Sequence, residues 1–190
     1  MSTLNVTALK HESAGVDNLV LDTSGNATFG GIAKVGSLMN PSGAGSAIAM
    51  DSAGRVTMPY QPHYVGQDRS SNLNTGGEST FVDWVHSVTN VNTGSHMNTS
   101  TGVFTCPIAG RYFVQFNVLT RYNAAHNIEI RKNNAIWVRA RDITSSHEMC
   151  DSLSTVIDCA ANDNIRISVS NGPSGDFYQQ WNSTTIYLVG

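Results

Sequence analysis

The chain has 190 residues, a formal net charge of −3 and only 13% charged residues, where about 25% is usual in soluble domains. That length allows one ordinary domain and something smaller. The weak negative balance offers no basic stripe to neutralise phosphates, so nucleic acid is not an expected partner, and no run of 18 consecutive apolar residues predicts a membrane-spanning helix.

The first residues, Met1 to Lys10, lack a basic stretch followed by an apolar run, so no secretory signal is expected. Leu4 to Leu9 reads as a short strand. Leu19 to Phe29 then aligns with Ile48 to Met58 at an offset of 29 residues. Each copy reads as an apolar strand, an Asp-x-x-Gly turn (Asp22 to Gly25, Asp51 to Gly54) and a second strand alternating around Thr. Asp at a turn start bonds the backbone two residues on, and Gly supplies positive φ. Asn40 to Ser46, with Pro41 and two glycines, is a loop. Hairpins this short are marginal alone. The segment is expected to order on docking, or to be completed by identical copies from other subunits.

Pro59 and Pro62 block regular pairing and mark a hinge, and Gly66 to Gly77 is a loop by composition. The expected division is an N-terminal β-hairpin segment over 1–62, a linker over 63–78 and a compact domain over 79–190. From residue 79 the predicted strands follow one another: Phe81 to Val88, Arg111 to Thr120, Asn127 to Arg131, Ile136 to Ala140, Leu153 to Asp158, Ile165 to Val169 and Thr185 to Val189. Turns fall at Lys132 to Asn134, Ala161 to Asn164 and Asn171 to Gly175. Tyr112, Val114, Phe116 and Val118 share one face of their strand. The other face, Phe113 to Leu119, is also partly apolar, which suits a central strand or one covered by another subunit. No window carries the helical i, i+3, i+4, i+7 stripe. Many short strands at this spacing predict an all-β antiparallel sandwich.

The window from Thr101 to Phe116 carries a turn, a short strand, Gly110 and a long alternating strand. Phe104, five residues, then Gly110, Tyr112, Val114 and Phe116 resembles the signature of the complement-q globular head, a jelly roll related to tumour necrosis factor. Asn92 falls in the upstream Asn/Asp slot and Met97 in the next apolar slot. Val114 stands where Phe is usual, and His86 stands in the first aromatic slot. Downstream, Ile130 to Asn134, Val156 to Ile165 and Asn182 to Val189 also resemble the family, over about residues 79–190. The resemblance implies a ten-stranded jelly roll assembled as a homotrimer, with Asn92, Phe104, Gly110, Tyr112 and Phe116 as its structural motif residues. A calcium ion sits near the trimer top in some relatives, and no ligand set for one is assigned here.

Asp-x-x-Gly repeats ahead of a β-head resemble bacteriophage tail fibres and similar virion appendages, and Asp51 to Pro62 is similar to segments of phage structural proteins. The missing signal and the missing Gly-x-y tract fit assembly in a host cytoplasm better than an animal complement protein.

Chemistry-bearing motifs are sparse. There is no phosphate-binding loop and no G-x-S-x-G elbow, and His147-Glu148 lacks the second His of a zinc helix. Cys106, Cys150 and Cys159 include no C-x-x-C pair, so they read as small hydrophobes with one disulfide left open. Asn5, Asn26, Asn98 and Asn182 head N-x-[ST] sequons, which matter only in a secretory pathway. Phe177, Tyr178 and Trp181 cluster among amides and are the candidate receptor contacts; the same rings could instead plug the sandwich or a trimer axis. No catalytic residue, metal or cofactor is expected. The expected protein is a virion component, not an enzyme: a tail fibre or similar appendage attached through residues 1–62. Its partners would be itself as a homotrimer, other virion proteins through that N-terminal segment, and a host-surface glycan or protein. The alternatives are a trimeric capsid decoration protein and a tail-associated polysaccharide-degrading enzyme.

Overall fold

The computed structural model describes residues 52–121, 124–143 and 147–189, with Thr23 and the backbone of five short strands before them. The chain divides into two compact units, Met1–Met58 and Pro59–Gly190. Among the described residues there is no helix.

The first unit holds two three-stranded antiparallel sheets. One joins β1 (Ala8–Leu9), β2 (Leu19–Leu21) and β3 (Ala27–Phe29); the other joins β4 (Ser37–Met39), β5 (Ser46–Met50) and β6 (Val56–Thr57). The repeat reappears in the strand pairing. Ala8 opposite Val20 recurs as Ser37 opposite Ala49, and Leu21 opposite Ala27 recurs as Met50 opposite Val56. Gly54 takes the positive φ of 79° expected at the second turn. The Asp22-to-Gly25 turn, Asp51, residues 4–7, the loop over 40–45 and the sequons at Asn5 and Asn26 lie outside the described residues.

The second unit is a sandwich of two antiparallel sheets. Its strands are β7 (His63–Gln67), β8 (Val82–Asp83), β9 (Val88–Thr93), β10 (Met97–Asn98), β11 (Val103–Thr105), β12 (Gly110–Arg121), β13 (Ala125–Lys132), β14 (Ala135–Ile143), β15 (Met149–Cys159), β16 (Asn164–Asn171), β17 (Asp176–Phe177) and β18 (Ser183–Leu188). One sheet runs β10-β11-β16-β13-β14, with β8 beside β16; the other runs β15-β12-β18-β7-β9, with β17 beside β12. This is an all-β jelly-roll arrangement.

Residues 63–67 were expected in the linker but form β7, hydrogen-bonded between β18 and β9. Tyr64 then lies fully inside the core, so the sandwich starts about fifteen residues before the expected position 79. The expected strand over Phe81 to Val88 is broken into β8 and the start of β9. Between them Trp84 and His86 turn inward and are buried. There Trp84 packs edge-on against Phe116 and Phe177 between the sheets.

The core follows the alternation of β12. Tyr112, Val114, Phe116 and Val118 are buried, and Phe116 meets Trp84 edge-on with ring centroids 5.0 Å apart. From the other sheet Ile128, Ile130, Ile165, Ile167 and Val169 face them. Asn133 and Asn134, both at positive φ, close the β13–β14 hairpin, the backbone that an Asn-rich two-residue turn favours. Gly102 at φ 70° packs so closely that a Cβ there would sit 2.2 Å from the Trp84 carbonyl oxygen.

Candidate functional site

The motif residues are structural. Phe104 and Tyr112 are fully buried and meet at 5.9 Å, and the Tyr112 hydroxyl donates to the Ile108 carbonyl at 2.9 Å. Burial pushes that phenol up to about 12. Gly110 opens β12 opposite Cys159. The Asn92 side chain donates to the Met97 carbonyl and accepts from the Met97 amide, both at 3.0 Å, pinning the β9–β10 turn. His86 fills the first aromatic slot as a ring. It lies near Trp84 and Tyr64, with its Nε2 2.7 Å from the Thr184 hydroxyl.

The three candidate contact residues separate. Phe177 is fully buried, opposite Thr120 and edge-on to Trp84. It is a core residue, a correction to its expected contact role: β17 alternates, and Phe177 takes the inward position. Tyr178 and Trp181 do come together. Their rings stack at 5.3 Å with 17° between planes, and the Arg121 guanidinium lies 4.8 Å from the centroid of the Tyr178 ring. Trp181 is 66% exposed and sits at a φ of 58°, a backbone region costly for a bulky residue. The sequence carries no signal for Arg121, which is distant along the chain and reaches the stack through the pairing of Arg121 with Asp176.

A second surface is the outward face of the β15-β12-β18-β7-β9 sheet. One row across it reads Val156, Phe113, Tyr187 and His63. Tyr187 contacts both neighbours, with ring centroids 5.2 Å from Phe113 and 6.0 Å from His63. Val156 is 47% and Tyr187 37% exposed. Further along β12 the face turns polar: Gln115 donates to Asn117, and Asn117 to the Ser183 hydroxyl.

The titratable groups are tuned by burial and by turns. Burial lowers His86 to about 4, opposed by its contact with the Asp68 carbonyl. Burial also lowers His126, partly offset by Asp151 and Asp142, and raises the Cys106 and Cys159 thiols. Cys106 and Cys159 are buried, Cys150 is exposed, and all three are free thiols. Asp163 is held down to about 2 by the Asn133 amide, the Ala160 N–H and Lys132. On the other sheet Glu129, wholly buried, bonds both Arg131 and Arg139, whose guanidiniums lie over Phe81. Among the described residues no group of three or more His, Cys, Asp or Glu is placed to hold a metal, and no helix is long and apolar enough to cross a membrane.

Comparison with known proteins agrees with this geometry. Residues 68–188 match the family described as the C1q domain. The chain is similar in fold to the globular domain of zebrafish complement 1qA protein, with TM-score 0.55, 13% identity, and coverage of 68% of this chain and 98% of that one. It is also similar to the Eiger TNF of S. frugiperda, with TM-score 0.51, 11% identity, and coverage of 70% and 94%. No curated protein sequence matches it.

Proposed function

The chain belongs to the C1q-domain family, and from that premise we propose that it is a non-enzymatic, homotrimeric virion structural protein, a phage tail fibre or similar appendage whose heads adhere to the host surface. The observation that carries the trimer is the row Val156, Phe113, Tyr187 and His63 on the outward face of a five-strand path. A strand interior to its sheet has no need of aromatics facing water, and three copies around an axis would cover that row. An interface of this kind, apolar at one end and amide-rich beyond, has the mixed composition of specific contacts.

Support for a shaft or attachment segment comes from the in-register repeat of residues 1–58. Each three-stranded unit has strands of two to five residues, and sheets that small gain stability from stacked neighbours. Three heads on one trimer multiply a weak contact through effective concentration. Nothing in this reading requires a reacting group: the buried histidines and thiols serve the core.

Electron microscopy of particles labelled with antibody against the head tests the assignment. Label at the tail fibres, together with adsorption of the purified protein to host cells, is expected. Label spread over the shell with no adsorption contradicts it in favour of capsid decoration. Reducing sugar released from host polysaccharide contradicts the non-enzymatic assignment.

A further inference from the structure

The stack formed by Arg121, Tyr178 and Trp181 is built, not incidental. The loop that presents it is tied down from several sides. The Asn182 side chain donates to the carbonyls of Tyr178 and Gln179 at 3.2 and 2.9 Å. The Gln179 amide donates to the Asn72 side chain at 2.9 Å, and the Arg69 amide to the Gln179 carbonyl at 2.8 Å. These bonds hold Trp181 at its positive φ of 58°. A costly backbone that the surroundings enforce, at a residue whose side chain fills no core, points to a task for that side chain.

The ring order defines the task. The Tyr178 ring carries both the Arg121 guanidinium and the stacked Trp181 ring. Trp181 therefore has one face packed and, at 66% exposure, one face turned to water. A single flat aromatic surface on a loop rich in amide side chains, Gln179 and Gln180 among them, suits the axial C–H face of a pyranose ring. A protein partner would want a wider apolar patch. Both nearby cations are engaged: Arg121 Nε lies 2.9 Å from Glu148, and Arg69 lies over Trp84, with Nη1 3.5 Å from the Val85 carbonyl. Neither cation is offered to an anionic sugar. The position also fits. Tyr187 and His63, at the first strand of this unit, align with Phe113, and Arg121 lies eight strand positions further, about 25 Å away. The stack is thus at the end of the sheet remote from where the chain enters this unit.

We propose that the Tyr178–Trp181 stack is a carbohydrate site that holds one neutral pyranose unit of a host-surface glycan against the open face of Trp181. This rests on the adhesive reading above and names its ligand class. The test is saturation-transfer NMR on the full-length protein with maltotriose, chitotriose, galactobiose and mannobiose as probes. At least one is expected to bind at millimolar concentration, with transfer concentrated on one ring face. Trp181→Ala is expected to weaken it at least about tenfold, with native mass and melting temperature unchanged, while Trp137→Ala has no effect. Binding of none of the probes, or binding unaffected by Trp181→Ala, overturns the site. A fall to monomer mass in Trp181→Ala also overturns it, because the stack is then a subunit contact. Host-cell adsorption separates the two ideas. Adsorption that survives Trp181→Ala sinks the sugar site and leaves adhesion standing. Absence of adsorption in every variant sinks adhesion, while the NMR titration still decides the sugar site.

Discussion

His86 stands where the family motif wants an aromatic ring, and the core uses it as one, between Trp84 and Tyr64. The cost is a buried base. With its value lowered to about 4 from an ordinary 6.5, the folded protein binds fewer protons than the unfolded chain between those pH values. Stability is therefore fully present above pH 6.5 and falls as the pH drops towards 4, by up to about 3 kcal/mol for this residue. His126, lowered by its own burial, adds in the same direction. Asp163 acts at lower pH: held down to about 2 from 3.8, its contribution is present above 3.8 and lost as the pH falls through 2. Thermal melting from pH 7 to 4 should show a steep fall, and the double variant His86→Phe, Thr184→Val should lose part of that slope. An unchanged slope would show that His86 is not the titrating group. At this scale the sequence signalled the slot, because its spacing from Asn92 and Phe104 is fixed, but not the partner, because Thr184 comes from β18 at the other end of the chain.

Among elements, β12 carries most of the fold. It pairs with β15 over eleven positions, from Gly110–Cys159 to Thr120–Met149, and with β18 on its other edge. That double pairing makes it central in its sheet, and packing against the other sheet accounts for the apolar inward face of Tyr112, Val114, Phe116 and Val118. Its strict alternation made it legible without the structure. β7 was not legible, since two prolines and a following Gly-rich loop outweigh a five-residue strand whose only large core side chain is Tyr64. Phe177 was misplaced for a related reason: in an isolated aromatic cluster only the register against Thr120 decides which ring faces inward. Tyr178 and Trp181 were placed together by their spacing, whereas Arg121 required the fold. The outward row on β12 gives a prediction for this element. Phe113→Lys puts a charge between Val156 and Tyr187, where an exposed monomer face would tolerate it. The variant should keep its β-type circular dichroism yet lose the oligomer, shifting native mass to that of one chain. An intact oligomer would move the subunit contact elsewhere.

As a whole, the molecule joins two units made on different principles. Within residues 1–58 the described strands form two three-stranded sheets of the same antiparallel order, which the proposed trimer would cover with neighbouring copies. The unit from Pro59 onward closes its own aromatic core between two sheets. The proposed homotrimer would reconcile them, because three copies could cover both the outward row of the head and the small sheets of the first unit. Sedimentation equilibrium on the purified full-length protein tests this most directly. The account predicts a native mass three times that of the 20.4 kDa chain, unchanged on dilution through the micromolar range. A stable species of one chain's mass at every concentration would contradict it.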